Sequence, residues 1–220
     1  MTDQAGSYEL VSATASDGTR AESFNLPARY LACKRGLDIV VSILALGLLA
    51  PVLVLIAVVV RCSSSGPVLF KQERAGRFGR NFLIYKFRTM STDAPPNAYK
   101  VPAGHHHITG PGRFLRSSGL DELPQLWNVL VGEMSLVGPR PEVFQIASDH
   151  GLLSHPRCLI RPGITGWWQI HHRTDIPLHL NLQYDIDYLR LLSPKVDAVI
   201  VWKTCALVIR SFTRTRAGRP

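Results

Sequence analysis

Apolar residues fall along this chain in blocks of different period, and each block predicts a different element. From Ile39 to Val60 there are 22 residues without a charge, preceded by Lys34 and Arg35 and followed by Arg61. At about 1.5 Å per residue such a helix is about 33 Å long, enough for a hydrocarbon core of roughly 30 Å. Basic residues at both ends favour the cytoplasmic side at both ends, which a re-entrant hairpin satisfies and a straight span does not. Pro51, near the middle, lacks the N–H that would reach the Gly47 carbonyl, so a kink is expected there. Two β-rich runs follow, Val68 to Gln72 and Phe82 to Phe87, and the basic, glycine-containing stretch Arg74 to Arg80 between them predicts a hairpin. Leu120, Leu123, Trp127 and Leu130 recur at helical spacing, which predicts a helix from about Asp121 with Pro124 in its first turn.

The ends of the chain are read from the same patterning. Residues 1 to 25 are rich in Ser, Thr, Ala, Asp and Gly without a sustained apolar period, so residues 1–30 are expected to be a disordered tail with no cleavable signal. Residues 91 to 112 carry clusters of Pro, Gly, Asn and Ser and read as a loop. Between Pro194 and Phe212 the apolar positions are interrupted by Lys203, too charged a run to span a bilayer. An interfacial amphipathic helix fits it, with Trp202 at headgroup depth and Arg210, Arg214, Arg216 and Arg219 near anionic lipid; a core helix with a basic tail is the alternative. The predicted fold is mixed α/β: a membrane helix over residues 31–62, then a small domain over 63–220 with interfacial helices and a short β-hairpin.

Composition narrows the partners. With 220 residues, a formal charge of +9, a pI of 9.8 and a mean hydropathy of +0.08, the chain is both basic and apolar. That combination points to a membrane surface or a phosphate-rich partner. A nucleic-acid-binding module accounts for the charge but not for the uncharged run, and solubility without detergent would favour it. The four cysteines, Cys33, Cys62, Cys158 and Cys205, are widely spaced with no CxxC pair, which predicts reduced thiols.

The candidate chemistry lies in residues 113 to 141. Asp121 and Glu122 at a helix start face the positive end of its dipole, which favours their ionised forms and leaves Asp121 available as an anionic nucleophile. Adjacent helical residues diverge, so the two carboxylates are expected to have separate jobs. An acid before an apolar run is also an ordinary helix start. Here Arg113, Arg116 and Arg140 accompany the pair, three guanidiniums where phosphate oxygens would sit. His105, His106 and His107 suggest a metal, but neighbours in extended chain point to opposite faces, so a solvated loop is expected. Gly110-Pro111-Gly112 lacks the third glycine of a dinucleotide loop.

The wording of this segment resembles a known family. Phe114-Leu115-Arg116, Leu120-Asp121-Glu122-Leu123-Pro124-Gln125-Leu126, Asn128-Val129-Leu130, Gly132 and Met134-Ser135-Leu136-Val137-Gly138-Pro139-Arg140-Pro141 are similar to the core of the bacterial sugar transferases, the monotopic phosphoglycosyl transferases. Phe70-Lys71-Gln72-Glu73-Arg74, Gly76, Tyr85-Lys86-Phe87-Arg88-Thr89-Met90, Arg161-Pro162-Gly163-Ile164-Thr165-Gly166 and Gln169 extend the likeness, which runs from about Lys34 to residue 205. The resemblance implies transfer of a sugar 1-phosphate from a UDP-sugar to polyprenyl (undecaprenyl) phosphate, with release of UMP, at the cytoplasmic face of a bacterial inner membrane. It implies Asp121 as a nucleophile forming an aspartyl phosphosugar, and magnesium held by Asp121 and Glu122. Arg116, Arg140, Arg173 and Asp185 are then expected at the phosphates, with Asp185 and Tyr188 near the site. The family's membrane helix breaks at Ser-Pro, where this chain has Ala50-Pro51; His171-His172 stand before Arg173 where the family has a small residue. A homo-oligomer or a glycan-assembly complex is the expected larger partner. A membrane-anchored but catalytically silent assembly protein is the remaining alternative, which an inactive purified protein would favour.

Overall fold

The computed structural model describes residues 8–13, 22–94, 105–171 and 178–216. Its architecture is mixed α/β, with one long apolar helix and, among the described residues, three two-stranded sheets. The long helix, α1 (Ala28–Ser63), begins well before the apolar run and continues through Pro51. It is long and apolar enough to cross a membrane.

Both ends of α1 are bound to the rest of the chain, whereas its middle is bare. Near its start Tyr30 and Lys34 donate to the Asp197 carboxylate, and Arg35 donates to the carbonyls of Val129 and Leu130. Asp38 is buried and accepts the Leu136 N–H at 3.0 Å. Near its end Ile56 and Val60 pack with Phe87 and Leu115, and Arg88 donates to the carbonyls of Ser64 and Pro67. Between these ends Ile43, Leu44, Val54 and Leu55 are exposed, and Leu48 is 82% exposed.

The N-terminal segment departs from expectation. Strand β1 (Tyr8–Ala13) pairs antiparallel with β2 (Glu22–Pro27), where a disordered tail was predicted. Phe24 and Leu26 enter the core beside Val137, Leu159, Tyr188, Leu189 and Ile200. Two apolar residues at period two are too few to register as a pattern, and the surface that buries them lies more than a hundred residues downstream.

The predicted hairpin is present as β3 (Leu69–Ala75) and β4 (Asn81–Phe87), with β3 longer than expected and Arg74 inside it. Helix α2 (Gly110–Ser118) extends into the segment read as loop: Thr109 caps it through the Gly112 N–H, and Pro111 sits harmlessly in the first turn. The helix expected from Asp121 is split. A single 3₁₀ turn covers Leu120–Glu122, and α3 (Gln125–Val131) starts after Pro124, which has no N–H to extend the ladder back to Leu120. The split changes the inward face: Leu126 and Val129 are buried, and Trp127, expected inside, is 52% exposed.

Strand β5 (Ser135–Val137) pairs in parallel with β6 (Gly163–Thr165), with α4 (Phe144–Asp149) between them in sequence. Helices α5 (Trp167–His171), α6 (Gln183–Arg190) and α7 (Pro194–Arg216) complete the described chain. On α7, Ile200 is fully buried while Val199, Val201, Trp202 and Ile209 are exposed, so one edge docks on the core and an apolar edge is left uncovered.

Candidate active site

Alternation on β4 buries Phe82 and Ile84 and brings Lys86 to the same face. There its ammonium, 17% exposed, lies 2.6 Å from Glu122 Oε1. Arg140 approaches the same oxygen from the loop after β5, at 3.6 Å. Burial penalises the Glu122 charge, but Lys86, Arg140 and Arg74 outweigh it and hold the carboxyl down at about 2. Burial also pushes the Lys86 ammonium below its ordinary value, against the pull of Glu122.

Asp121 has the opposite bias. Burial, followed by the negative charge of Glu122, lifts its carboxyl to about 6, with Lys86 and Arg116 pulling the other way. The expectation that a helix dipole would favour its anion therefore does not hold: Asp121 sits on an isolated 3₁₀ turn, and desolvation dominates. At pH 7 a group with such a pKa is still about nine-tenths ionised. The neighbouring carboxylates thus sit in different environments: one is locked in a cation cage, the other is a more basic anion.

Among the predicted phosphate ligands, Arg116 and Arg140 lie in this electrostatic cluster. Arg113, expected to join them, is exposed on α2. Arg173 lies outside the described residues. Asp185, expected beside the phosphates, is instead 2% exposed inside the domain, 3.1 Å from the equally buried guanidinium of Arg157. The apolar positions of α6 turn Asp185 and Tyr188 inward together, and a carboxylate there needs a buried cation.

The loop that carries Arg140 is pinned carbonyl by carbonyl. Pro139 O accepts from Gly163 N at 2.9 Å, Arg140 O from Arg157, Pro141 O from Arg74 at 3.0 Å, and Glu142 O from Ala75 N at 3.0 Å. Gly138 permits this approach, since a Cβ there would meet Arg161 O at 2.5 Å. Lys86 and Arg74 fall in stretches matched to the family but carry no site role in the sequence reading, and Arg157 is not named there at all. For Lys86 a signal existed: a lysine in phase with Phe82 and Ile84 on a half-buried strand calls for a buried anion.

The three histidines do not diverge as extended chain would require. They occupy a turn, where their ligand atoms lie within 4.8 Å of one another. His105 Nδ1 accepts the His107 N–H at 3.4 Å, and His107 Nδ1 lies 3.5 Å from Asp93 Oδ2. The carboxylates of Asp121 and Glu122 offer only oxygen donors, the chemistry that would suit magnesium with retained waters.

A family model described as bacterial sugar transferase matches residues 29–211. The chain is 36% identical over 190 residues to the UDP-N-acetylgalactosamine-undecaprenyl-phosphate N-acetylgalactosaminephosphotransferase of Aeromonas hydrophila, covering 83% of this chain and 45% of that protein. It is 40% identical over 194 residues to the UDP-glucose:undecaprenyl-phosphate glucose-1-phosphate transferase of Xanthomonas campestris pv. campestris, covering 84% and 40%. It therefore spans less than half the length of these two curated relatives. Against the exopolysaccharide production protein ExoY of Sinorhizobium fredii it is 36% identical over 200 residues, covering 81% of this chain and 86% of the relative.

Proposed function

Because the chain belongs to the bacterial sugar transferase family, we propose that it moves a sugar 1-phosphate from a UDP-sugar to undecaprenyl phosphate, through an aspartyl phosphosugar on Asp121. The observation that carries this reading is the unequal pair: Glu122 is held ionised by Lys86 and Arg140, while Asp121 stands beside it with a raised pKa. A carboxylate of pKa about 6 is a stronger nucleophile than an ordinary aspartate and is still anionic at neutral pH. Its oxygen attacks the β-phosphorus of the donor; the new O–P bond replaces the bond to the α-phosphate oxygen, and UMP leaves. An oxygen of undecaprenyl phosphate then attacks the same phosphorus and releases the carboxylate. Arg116 and Arg140 neutralise the phosphate oxygens during both displacements, with Arg173 as a third ligand. Magnesium, held by Asp121 and Glu122, would supply further charge neutralisation at the diphosphate. The donor is a UDP-hexose and the product the first lipid-linked sugar of an exopolysaccharide or related glycan.

The same reading includes a re-entrant α1 at the cytoplasmic face. What supports re-entry is that Arg35 and Asp38 near one end and Val60 near the other are all bound to one domain. The ends of a straight span would lie on opposite sides of a hydrocarbon core of roughly 30 Å. UDP-sugars are cytosolic, so the domain, and with it both ends, belongs inside.

Incubating the protein with a labelled UDP-sugar and no acceptor tests the chemistry. Stoichiometric UMP release with label retained on the protein is expected, and Asp121→Asn should abolish both. Full labelling of Asp121→Asn would assign the nucleophile elsewhere. A panel of UDP-glucose, UDP-galactose and their N-acetyl forms, scored by UMP release, then identifies the sugar.

A further inference from the structure

We infer that Arg157 and Asp185 are positioning residues for the transfer reaction, acting through the backbone of Arg140. This rests on the phosphate role proposed for Arg140. The Arg157 side chain is 4% exposed and that of Asp185 2%, so neither touches a substrate arriving from solvent. Their groups lie 3.1 Å apart, and the same Arg157 nitrogen that faces Asp185 donates to the carbonyl of Arg140.

A buried guanidinium whose only role was to neutralise Asp185 would need no contact with this loop. Here it holds the one residue of the Pro139-Arg140-Pro141 run whose side chain reaches the carboxylate cluster. The flanking carbonyls are each held by a different donor, from Gly163 and from Arg74. Prolines on both sides of Arg140 narrow the backbone further by fixing their own φ. With the backbone fixed on four consecutive carbonyls, the freedom left to Arg140 is in its side chain, which is one-third exposed and stays within 3.6 Å of Glu122. Asp185 comes from α6 and fixes Arg157 by charge, so the geometry of the phosphate ligand is set in part by a helix distant from it in sequence. Gly76 and Cys158 line the small cavity of about 10 Å³ beside Arg157, room for about one water and no more.

Replacing Arg157 alone leaves Asp185 buried and unpaired, which invites unfolding. The test therefore removes both charges at once, as Arg157→Met with Asp185→Leu, in wild-type and Arg140→Ala backgrounds. Thermal unfolding confirms that each variant is folded, and initial rates of UMP release give kcat and KM for the UDP-sugar. The paired substitution should lower kcat/KM by about 10- to 100-fold in the wild-type background, as for a displaced ligand. In the Arg140→Ala background it should cost less than about threefold more, because the residue it acts through is gone. Arg157→Lys, which keeps a charge for Asp185 and a donor for the loop, should recover part of the loss. Equal fold-losses in the two backgrounds, or a folded paired variant with wild-type kinetics, overturn the inference while leaving the phosphate role of Arg140 intact. An Arg140→Ala variant as active as wild type would instead reject that role and the inference with it.

Discussion

The two acidic neighbours should respond to neutralisation with opposite changes in stability. Asp121 has its carboxyl lifted from 3.8 to about 6, so the folded state favours its protonated form. Its contribution to stability is full below pH 3.8 and is lost as pH rises through about 6. Glu122 is depressed from 4.5 to about 2, so its contribution is present above pH 4.5 and lost as pH falls through about 2. Each shift of about two units corresponds to roughly 3 kcal/mol at about 1.4 kcal/mol per unit, and partial solvent access reduces that to about 1–2 kcal/mol. At pH 8 Asp121→Asn should therefore melt roughly 2–6 °C above wild type, for a chain of this size, while losing turnover. Glu122→Gln should melt below wild type by a similar amount, because it also strips the half-buried Lys86 of its partner at 2.6 Å. Thermal unfolding in detergent between pH 4 and pH 9 reads both. For Asp121→Asn the gain should shrink towards pH 4, where wild-type Asp121 is itself protonated. An Asp121→Asn protein that melts at or below wild type throughout pH 7–9 would show that desolvation and Glu122 do not lift this carboxyl.

Three other measurements follow from the same geometry. The acid limb of kcat/KM should fall near pH 6, and Lys86→Met, which removes a cation that lowers Asp121, should move it to higher pH; an unmoved limb would remove Lys86 from the site. Glu122→Gln should raise the magnesium needed for half-maximal turnover more than it slows UMP release in the first half-reaction, and an unchanged magnesium requirement contradicts a metal role. Cys33 and Cys62, both exposed and near opposite ends of α1, give the topology directly. With Cys158 and Cys205 replaced, both should resist an impermeant thiol reagent in intact spheroplasts and react after lysis; labelling of Cys33 alone before lysis means a span.

What the sequence made legible was governed by how local the cause was. The long apolar run, the β3–β4 hairpin and the Asp121–Glu122 pair each announce themselves within a short window. The burial of Phe24 and Leu26 does not, because the core that receives them is assembled from Val137, Leu159 and Ile200. The helix boundary near Asp121 was misplaced for a physical reason: apolar spacing was continuous across Leu120 to Leu130, but Pro124 cut the hydrogen-bond ladder and turned Trp127 outward. The sign of the Asp121 shift also lay beyond local reading. It depends on burial by groups brought from β4 and α2, whereas a helix dipole is the one field a sequence pattern reveals. Asp185 was recognisable as an important acid, yet its partner Arg157 lies 28 positions earlier on a different element, and no spacing rule connects them.

The clasp at the start of α1 has a consequence in time. Arg35 waits for acceptors 94 and 95 positions downstream, Asp38 for a donor 98 positions away, and Lys34 and Tyr30 for a carboxylate 163 and 167 positions away. At roughly 5–20 residues per second of synthesis, those partners emerge from the ribosome about 5–30 s after the helix itself. During that interval the start of the helix has to be housed before the partners that steady it exist, and Lys34, Arg35 and Asp38 stand without the groups they later bind. On the re-entrant reading proposed above, the apolar stretch is therefore obliged to find its own place first, and the domain is completed around a helix already installed, with the Asp197 contact as one of the last latches to close.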